Sequence, residues 1–147
     1  MNSGMKASRN RVVARYRDGR ILKGYTHDFL PMKDTFHLTS EDAITKGTIH
    51  EVNIADLKAI FFVKTFDGNK FYHEKKKFEE VDDSKLRGLK IKVEFFDGEV
   101  IRGISLGYNK NKKGFFISDI DPDSNNERIF VIADACKSVQ VGQTASS

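Results

Sequence analysis

The chain has 147 residues, 39% apolar and 31% charged, with twelve Phe, four Tyr and no Trp, a length and composition that fit one ordinary globular domain or two very small ones. The net charge of +4 is too small to mark a dedicated nucleic-acid protein, and no apolar run approaches the roughly 20 residues needed to span a bilayer. A single cysteine, Cys136, cannot form an internal disulfide and points to a reducing compartment.

Taken in chain order, Met1 to Arg11 is polar and basic with no apolar stretch, which argues against a secretory signal. A cytoplasmic protein without membrane association is the expectation. Between Lys6 and Lys23 there are seven Lys or Arg against one Asp, so any electrostatic footprint lies at this end. Val12, Ala14 and Tyr16 alternate with Arg11, Val13, Arg15 and Arg17, the pattern of a strand with one apolar and one basic face. Asp18-Gly19 follows and predicts a tight hairpin of type I′. The next strand carries Gly24 in its interior, where a glycine marks a sharp bend. A third strand holds Phe36 to Leu38. Two closing strands flank Asp56, and the last of them, Ala59-Ile-Phe-Phe-Val63, is apolar at every position. Both faces of that strand require burial, so it is expected to lie against another part of the protein, with Phe96 as a candidate partner.

The same text then recurs. Ile91, Val93 and Phe95 repeat the apolar face, Asp97-Gly98 the turn, Gly103 the interior glycine, and Phe115 to Ile117 the third strand, all at an offset of 79 from the first copy. Ile132-Ala-Asp134 aligns with Ile54-Ala-Asp56 if one residue is inserted, and Val139 aligns with Ile60. The fold class expected is all-β: two tandem, small, five-stranded and strongly bent β-barrels of the Sm-like or SH3-like kind. The first unit with its basic arm covers 1–66, a linker 67–88, the second unit 89–142, and a disordered tail 143–147. The linker contains Phe71-Tyr72 and Lys75-Lys-Lys77, but Glu74, Glu79 and Glu80 cancel its charge. It reads first as a connection with a few aromatics laid on a barrel, and second as a basic and aromatic strip for nucleic acid.

The order strand, Asp-Gly, strand with internal Gly, aromatic strand and two closing strands resembles the Sm-like small barrels. The whole also resembles an uncharacterised group of bacterial proteins with this tandem layout, including the Asp-x-x-Ser-Asn-Asn-Glu-Arg stretch at Asp121 to Arg128. Sm-like proteins bind single-stranded RNA as rings, and the resemblance would place an Asp-x-Φ-Asn loop after the second strand and an Arg-Gly pair near the last strands. Here Asp28-Phe-Leu-Pro-Met32 lacks the Asn and Gly107-Tyr-Asn109 lacks the Asp. Ile101-Arg-Gly103 lies in the second strand instead of near the end, and Val63-Lys64 and Val141-Gly142 do not match. The RNA-ring function is therefore not carried over. Tandem fusion supplies two subunits in one chain and can itself replace part of such an assembly.

The candidate sites are few. Arg11, Arg15 and Arg17, with Lys23 nearby, form a basic row suited to phosphates, or else a solvated strand face guarded against edge pairing. Arg11-Val-Val-Ala-Arg15 resembles half of the cyclic-dinucleotide motif of PilZ domains, but the Asp/Asn-x-Ser-x-x-Gly half is absent. Asp119, Asp121 and Asp123 are spaced like the start of an EF-hand loop, without its glycine or closing Glu, so a turn closed by its own side chains is the plainer reading. Asn125, Asn126, Glu127 and Arg128 are a candidate recognition loop. His27, His37, His50 and His73 show no metal-ligand spacing, and Cys136 lies among small residues. No phosphate loop, nucleophile elbow or carboxylate pair is present. The expectation is a binding module with no enzymatic activity and no cofactor or metal. A protein partner or self-association ranks first, nucleic acid through the basic first strand second, and a cyclic dinucleotide last.

Overall fold

The computed structural model describes residues 10–67, 76–80, 88–142 and 145. The arm before Asn10, Phe71-Tyr72, Lys75 and His73 of the linker, and positions 143, 144, 146 and 147 of the tail lie outside the described residues. Ten strands follow one another: β1 (Asn10–Tyr16), β2 (Ile21–Thr26), β3 (Thr35–Ser40), β4 (Ile49–Asn53), β5 (Leu57–Val63), β6 (Lys90–Phe95), β7 (Val100–Ser105), β8 (Gly114–Asp119), β9 (Asn126–Ile132) and β10 (Cys136–Val141). Single 3-10 turns lie at Ile54–Asp56, Phe78–Glu80 and Ala133–Ala135, and no described residue is in an α-helix. The protein is all-β, as the alternation of apolar and polar residues predicts.

All ten strands belong to one antiparallel sheet in the order β10-β6-β7-β8-β9-β5-β1-β2-β3-β4. In each unit the fifth strand returns to pair with the first, so β5 lies on β1 and β10 on β6. The units are continuous with each other, because β5 also pairs with β9, the fourth strand of the second unit. The sheet does not close on itself, and β4 and β10 are its two ends.

The repeat is more regular than the sequence alignment indicates. Gly24 pairs with Ser40 and Gly103 with Asp119, and Ala14 pairs with Ile60 and Val93 with Val139. The Arg17 N–H donates to the Asp56 carbonyl (3.0 Å) and the Phe96 N–H to the Ala135 carbonyl (3.2 Å). Each partner of the second unit is displaced by 79 from its counterpart, so no residue is inserted. Backbone geometry aligns Asp56 with Ala135, and the Ile-Ala-Asp match that suggested an insertion is a coincidence of side chains.

The two Asp-Gly turns also differ from the expected type I′. Only the glycines have positive φ, 96° at Gly19 and 94° at Gly98, and no other residue type does among those described. The Gly19 N–H donates to the Tyr16 carbonyl, while Tyr16 N–H donates to the Arg20 carbonyl. This is a three-residue loop, a right-handed turn followed by a left-handed glycine, and it suits Asp18 because only one residue must leave the ordinary φ range. The Asp18 carboxylate accepts from the Arg20 N–H at 3.0 Å and completes the turn.

Gly24 and Gly103 are required for close approach. A Cβ on Gly24 would lie 2.1 Å from the Thr39 carbonyl oxygen, and one on Gly103 would lie 2.5 Å from that of Ser118. At these glycines the second strand of each unit takes up its pairing with the third. The core is one continuous cluster running from Val12 and Phe36 in the first unit to Phe95 and Phe115 in the second. Burial of each large side chain such as Phe36 or Phe130 contributes about 1.5–3 kcal/mol. Phe78 of the linker is buried in a smaller cluster with Ile104, Ile120 and Ala145, the last of these in the tail segment.

Candidate functional site

The junction between the units is the most heavily built part of the molecule. All seven residues of β5 are buried. Their alternation puts Ile60 and Phe62 on one face, opposite Ala14 and Val12 of β1 and Phe130 and Arg128 of β9, and Phe61 on the other, opposite Val13 and Ile129. The doubly apolar strand thus finds its second partner in β9. Phe96 plays no part, being 68% exposed beyond the β6 hairpin. Phe29, on the loop after β2, reaches into the junction and meets Phe36, Phe62, Phe116 and Phe130 edge to face, with ring centres 5.1–6.2 Å apart. Such pairs contribute roughly 0.5–1.5 kcal/mol beyond their burial.

Charges fasten the same junction. Lys58 is buried to 8% exposure, its ammonium 2.6 Å from Asp97 and also bonded to Glu99, both in the β6–β7 turn of the other unit. It lies over the Phe95 ring as well. Burial alone pulls the Lys58 pKa down, but the hydrogen bonds to the two carboxylates outweigh it and hold the pKa above its ordinary value. The hydrogen bond from Lys58 correspondingly holds the Asp97 carboxyl below its ordinary range, assisted by the Glu99 N–H. Arg15 stacks on Phe61 at 4.5 Å and approaches Glu99 at 3.5 Å. Asp34 and Lys113, which occupy equivalent places in the two units, meet at 2.5 Å.

The basic row does not gather as a free surface. Arg15 is engaged by Phe61 and Glu99, Arg11 donates to the Lys64 carbonyl at 3.2 Å, and Lys23 to the Phe66 carbonyl at 3.3 Å. Arg17 is exposed beside Asp18, Arg20 and Asp56 in a shallow depression. Acidic groups therefore interleave with the cations.

The loop before β9 is mostly occupied with its own architecture. Asn125 accepts from the Thr65 N–H and hydroxyl and donates to the Thr65 carbonyl at 2.7 Å, clamping the end of β5. Asp119 accepts from the Asp121 N–H, the Ser124 hydroxyl and the Asn126 amide. The carboxylates that resemble an EF-hand start thus cap a turn. Arg128 lies over the Phe62 and Phe116 rings at 4.4 and 4.8 Å, and Glu127 is exposed. The role of Arg128 as a lid on an aromatic cluster, and those of Phe29 and Lys58, are not readable from local sequence, since each depends on the other unit.

Asp28 illustrates a further local tie. It accepts from the His37 N–H (2.9 Å), from His37 Nδ1 (2.7 Å) and from Thr26 Oγ1 (3.2 Å). Burial raises its pKa, and these bonds outweigh burial and leave it lowered. Among the described residues no group of three His, Cys, Asp or Glu side chains is placed to hold a metal ion. Burial pushes the Cys136 thiol up to about 11, so it carries little thiolate at neutral pH.

A cleft of about 130 Å³ opens between the units, lined by Arg15, Phe61, Glu99, Arg102, Asp119 and Asn126 among others. Pockets for small organic ligands are usually about 300–1,000 Å³. A wider, open depression of about 600 Å³ lies along β2 beside Lys23, Glu41, Asp42 and Phe66.

Residues 8–142 match the family of unknown function DUF6982. The chain belongs to that family. The match spans both units of this DUF6982 chain and the β5–β9 junction, so the tandem arrangement itself is what the family match covers. No curated protein and no solved structure matches the chain. Among the described residues, no helix of this DUF6982 member is long and apolar enough to cross a membrane.

Proposed function

We propose that this chain is a non-catalytic protein-interaction module built from two fused Sm-like units. The observation that carries the reading is the open sheet: β4 and β10 each pair on one side only among the described strands. An open strand edge is a template for another chain, since its backbone donors and acceptors seek partners. Ile49 on the β4 edge is 66% exposed, and Ile44 in the loop leading into β4 is exposed too, which gives that end of the sheet apolar surface for a protein partner. The strand order of each unit supports the Sm-like reading, as does the glycine-dependent crossing from the second strand to the third.

Nucleic-acid binding along β1 is the weaker alternative, because Glu99 faces Arg15 and the neighbouring cations are tied to carbonyls. A cyclic dinucleotide is weaker still, with Arg11 and Arg15 each engaged by a different group. Two measurements on the full chain decide: anisotropy with labelled single-stranded RNA and DNA at low and physiological salt, and affinity capture of protein with wild type and Ile49→Lys. The expected result is no sub-micromolar nucleic-acid binding, and a protein partner that the variant loses. Tight, salt-sensitive nucleic-acid binding that falls in Arg11→Ala with Arg17→Ala would replace this reading.

A further inference from the structure

The β5–β9 junction joins the fifth strand of one unit to the fourth strand of the next. The fifth strand of the second unit, β10, and the fourth strand of the first, β4, are the same two edges left open among the described strands. We infer that the partner of these edges is a second copy of this chain, added head to tail so that β10 of one copy pairs with β4 of the next in the register of β5 on β9. This deepens the proposed interaction function and rests on it.

The uniform offset of 79 lets the contacts across copies be read residue by residue. Arg15 with Glu99 becomes Glu94 with Arg20: both charges are reversed and the pair remains complementary. Lys58 with Asp97 becomes Lys137 with Asp18, the same charges again, while Lys58 with Glu99 becomes Lys137 with Arg20, two cations that lie between Asp18 and Glu94. Asp34 and Lys113 are themselves equivalents in contact, so they lie near the axis relating the units, and Lys113 of one copy then faces Asp34 of the next. The backbone pair Phe62 with Arg128 becomes Val141 with Ile49, which covers an exposed apolar side chain. Phe61 with Ile129 becomes Gln140 with His50. Among the described residues His50 Nε2 is buried without a hydrogen-bond partner, a costly state, and the Gln140 amide opposite it would supply one.

The two junctions differ in strength. β5 is wholly buried, whereas Lys137, Ser138 and Gln140 of β10 and Ile49, Glu51 and Asn53 of β4 are exposed. A polar, ion-paired copy of an apolar junction gives reversible, salt-sensitive association. Each copy offers one edge of each kind, so the contact is heterologous and extends to a ring or a filament according to its rotation.

Sedimentation velocity of the full chain over a concentration series, at low and high salt, tests this. Wild type is expected to sediment as more than one copy at high concentration and low salt, and to dissociate with salt. Glu94→Arg sets like charge against Arg20 and alone should remain monomeric; Arg20→Glu sets like charge against Glu94 while gaining opposite charge toward Lys137, and alone should assemble more weakly than wild type. An equimolar mixture of the two restores opposite charges at both kinds of contact and should assemble again. A monomeric wild type at every concentration, single variants that assemble like wild type, or a mixture that stays monomeric would overturn the self-pairing. If the monomer still captures another protein in a manner sensitive to Ile49→Lys, the interaction function stands and only the second copy falls; loss of both removes the function as well.

Discussion

Two strands hold the same place in the two units and have opposite fates. β5 reads Leu-Lys-Ala-Ile-Phe-Phe-Val and is buried on both faces between β1 and β9. β10 reads Cys-Lys-Ser-Val-Gln-Val, pairs among the described strands with β6 alone and is half exposed. The backbone is the same, and the side chains record whether a neighbour is permanently present. The apolar positions that β5 has in excess, Phe61 against Gln140 and Ala59 against Ser138, pair with Ile129 and Val131 of the second unit. One copy of the edge is core and the other is polar.

The largest break in this comparison comes at the aromatic side of the junction. Phe130 is 1% exposed and meets Phe29 and Phe116, while its equivalent Glu51 lies on the open edge. Phe130→Ala should cost about 3–5 kcal/mol, read as a fall in the urea midpoint, with Glu51→Ala close to neutral. Next come Ile60 and Val139, paired with Ala14 and Val93 in the same way. Ile60→Ala should cost about 2–5 kcal/mol, and Val139→Ala, at a half-buried site, about 1 kcal/mol; equal losses would deny the asymmetry of the two strands.

Lys58 gives an intermediate effect and a pH signature. Lys58→Met removes hydrogen bonds to two carboxylates and should cost about 1–2 kcal/mol at neutral pH. The folded Asp97 pKa lies below its ordinary 3.8, chiefly through Lys58. Its contribution is therefore complete above the unfolded value and is lost as pH falls through the folded one. Wild type should lose stability over that acid window, and the variant should show a flatter curve. The smallest effect is expected at Phe96, which is exposed: Phe96→Ser should change stability by less than about 0.5 kcal/mol, as measured by thermal melting.

Much of the fold is legible in the sequence, because the alternation in β1 and β6, the Asp-Gly turns and the interior glycines act locally. The burial demand of Ala59 to Val63 is legible too, but its partner is not. Alternation names faces, and Phe96 has the correct face without being near, whereas β9 is selected by strand order over the whole chain. The candidate site is least legible. Arg15, Asn125 and Arg128 look like free polar groups in the sequence and are ordered by Glu99, Thr65 and Phe62 from the opposite unit. Lys58 is concealed for the complementary reason, a cation in a strand whose apolar neighbours draw attention away from it.

Amide hydrogen exchange of the wild-type chain at low and high protein concentration measures both strands at once. The account predicts that β5 exchanges slowest at either concentration, while β10 and β4 exchange quickly when dilute and slow together when concentrated. Exchange of β10 and β4 that is indifferent to concentration, or β5 amides no better protected than those of β10, would contradict it.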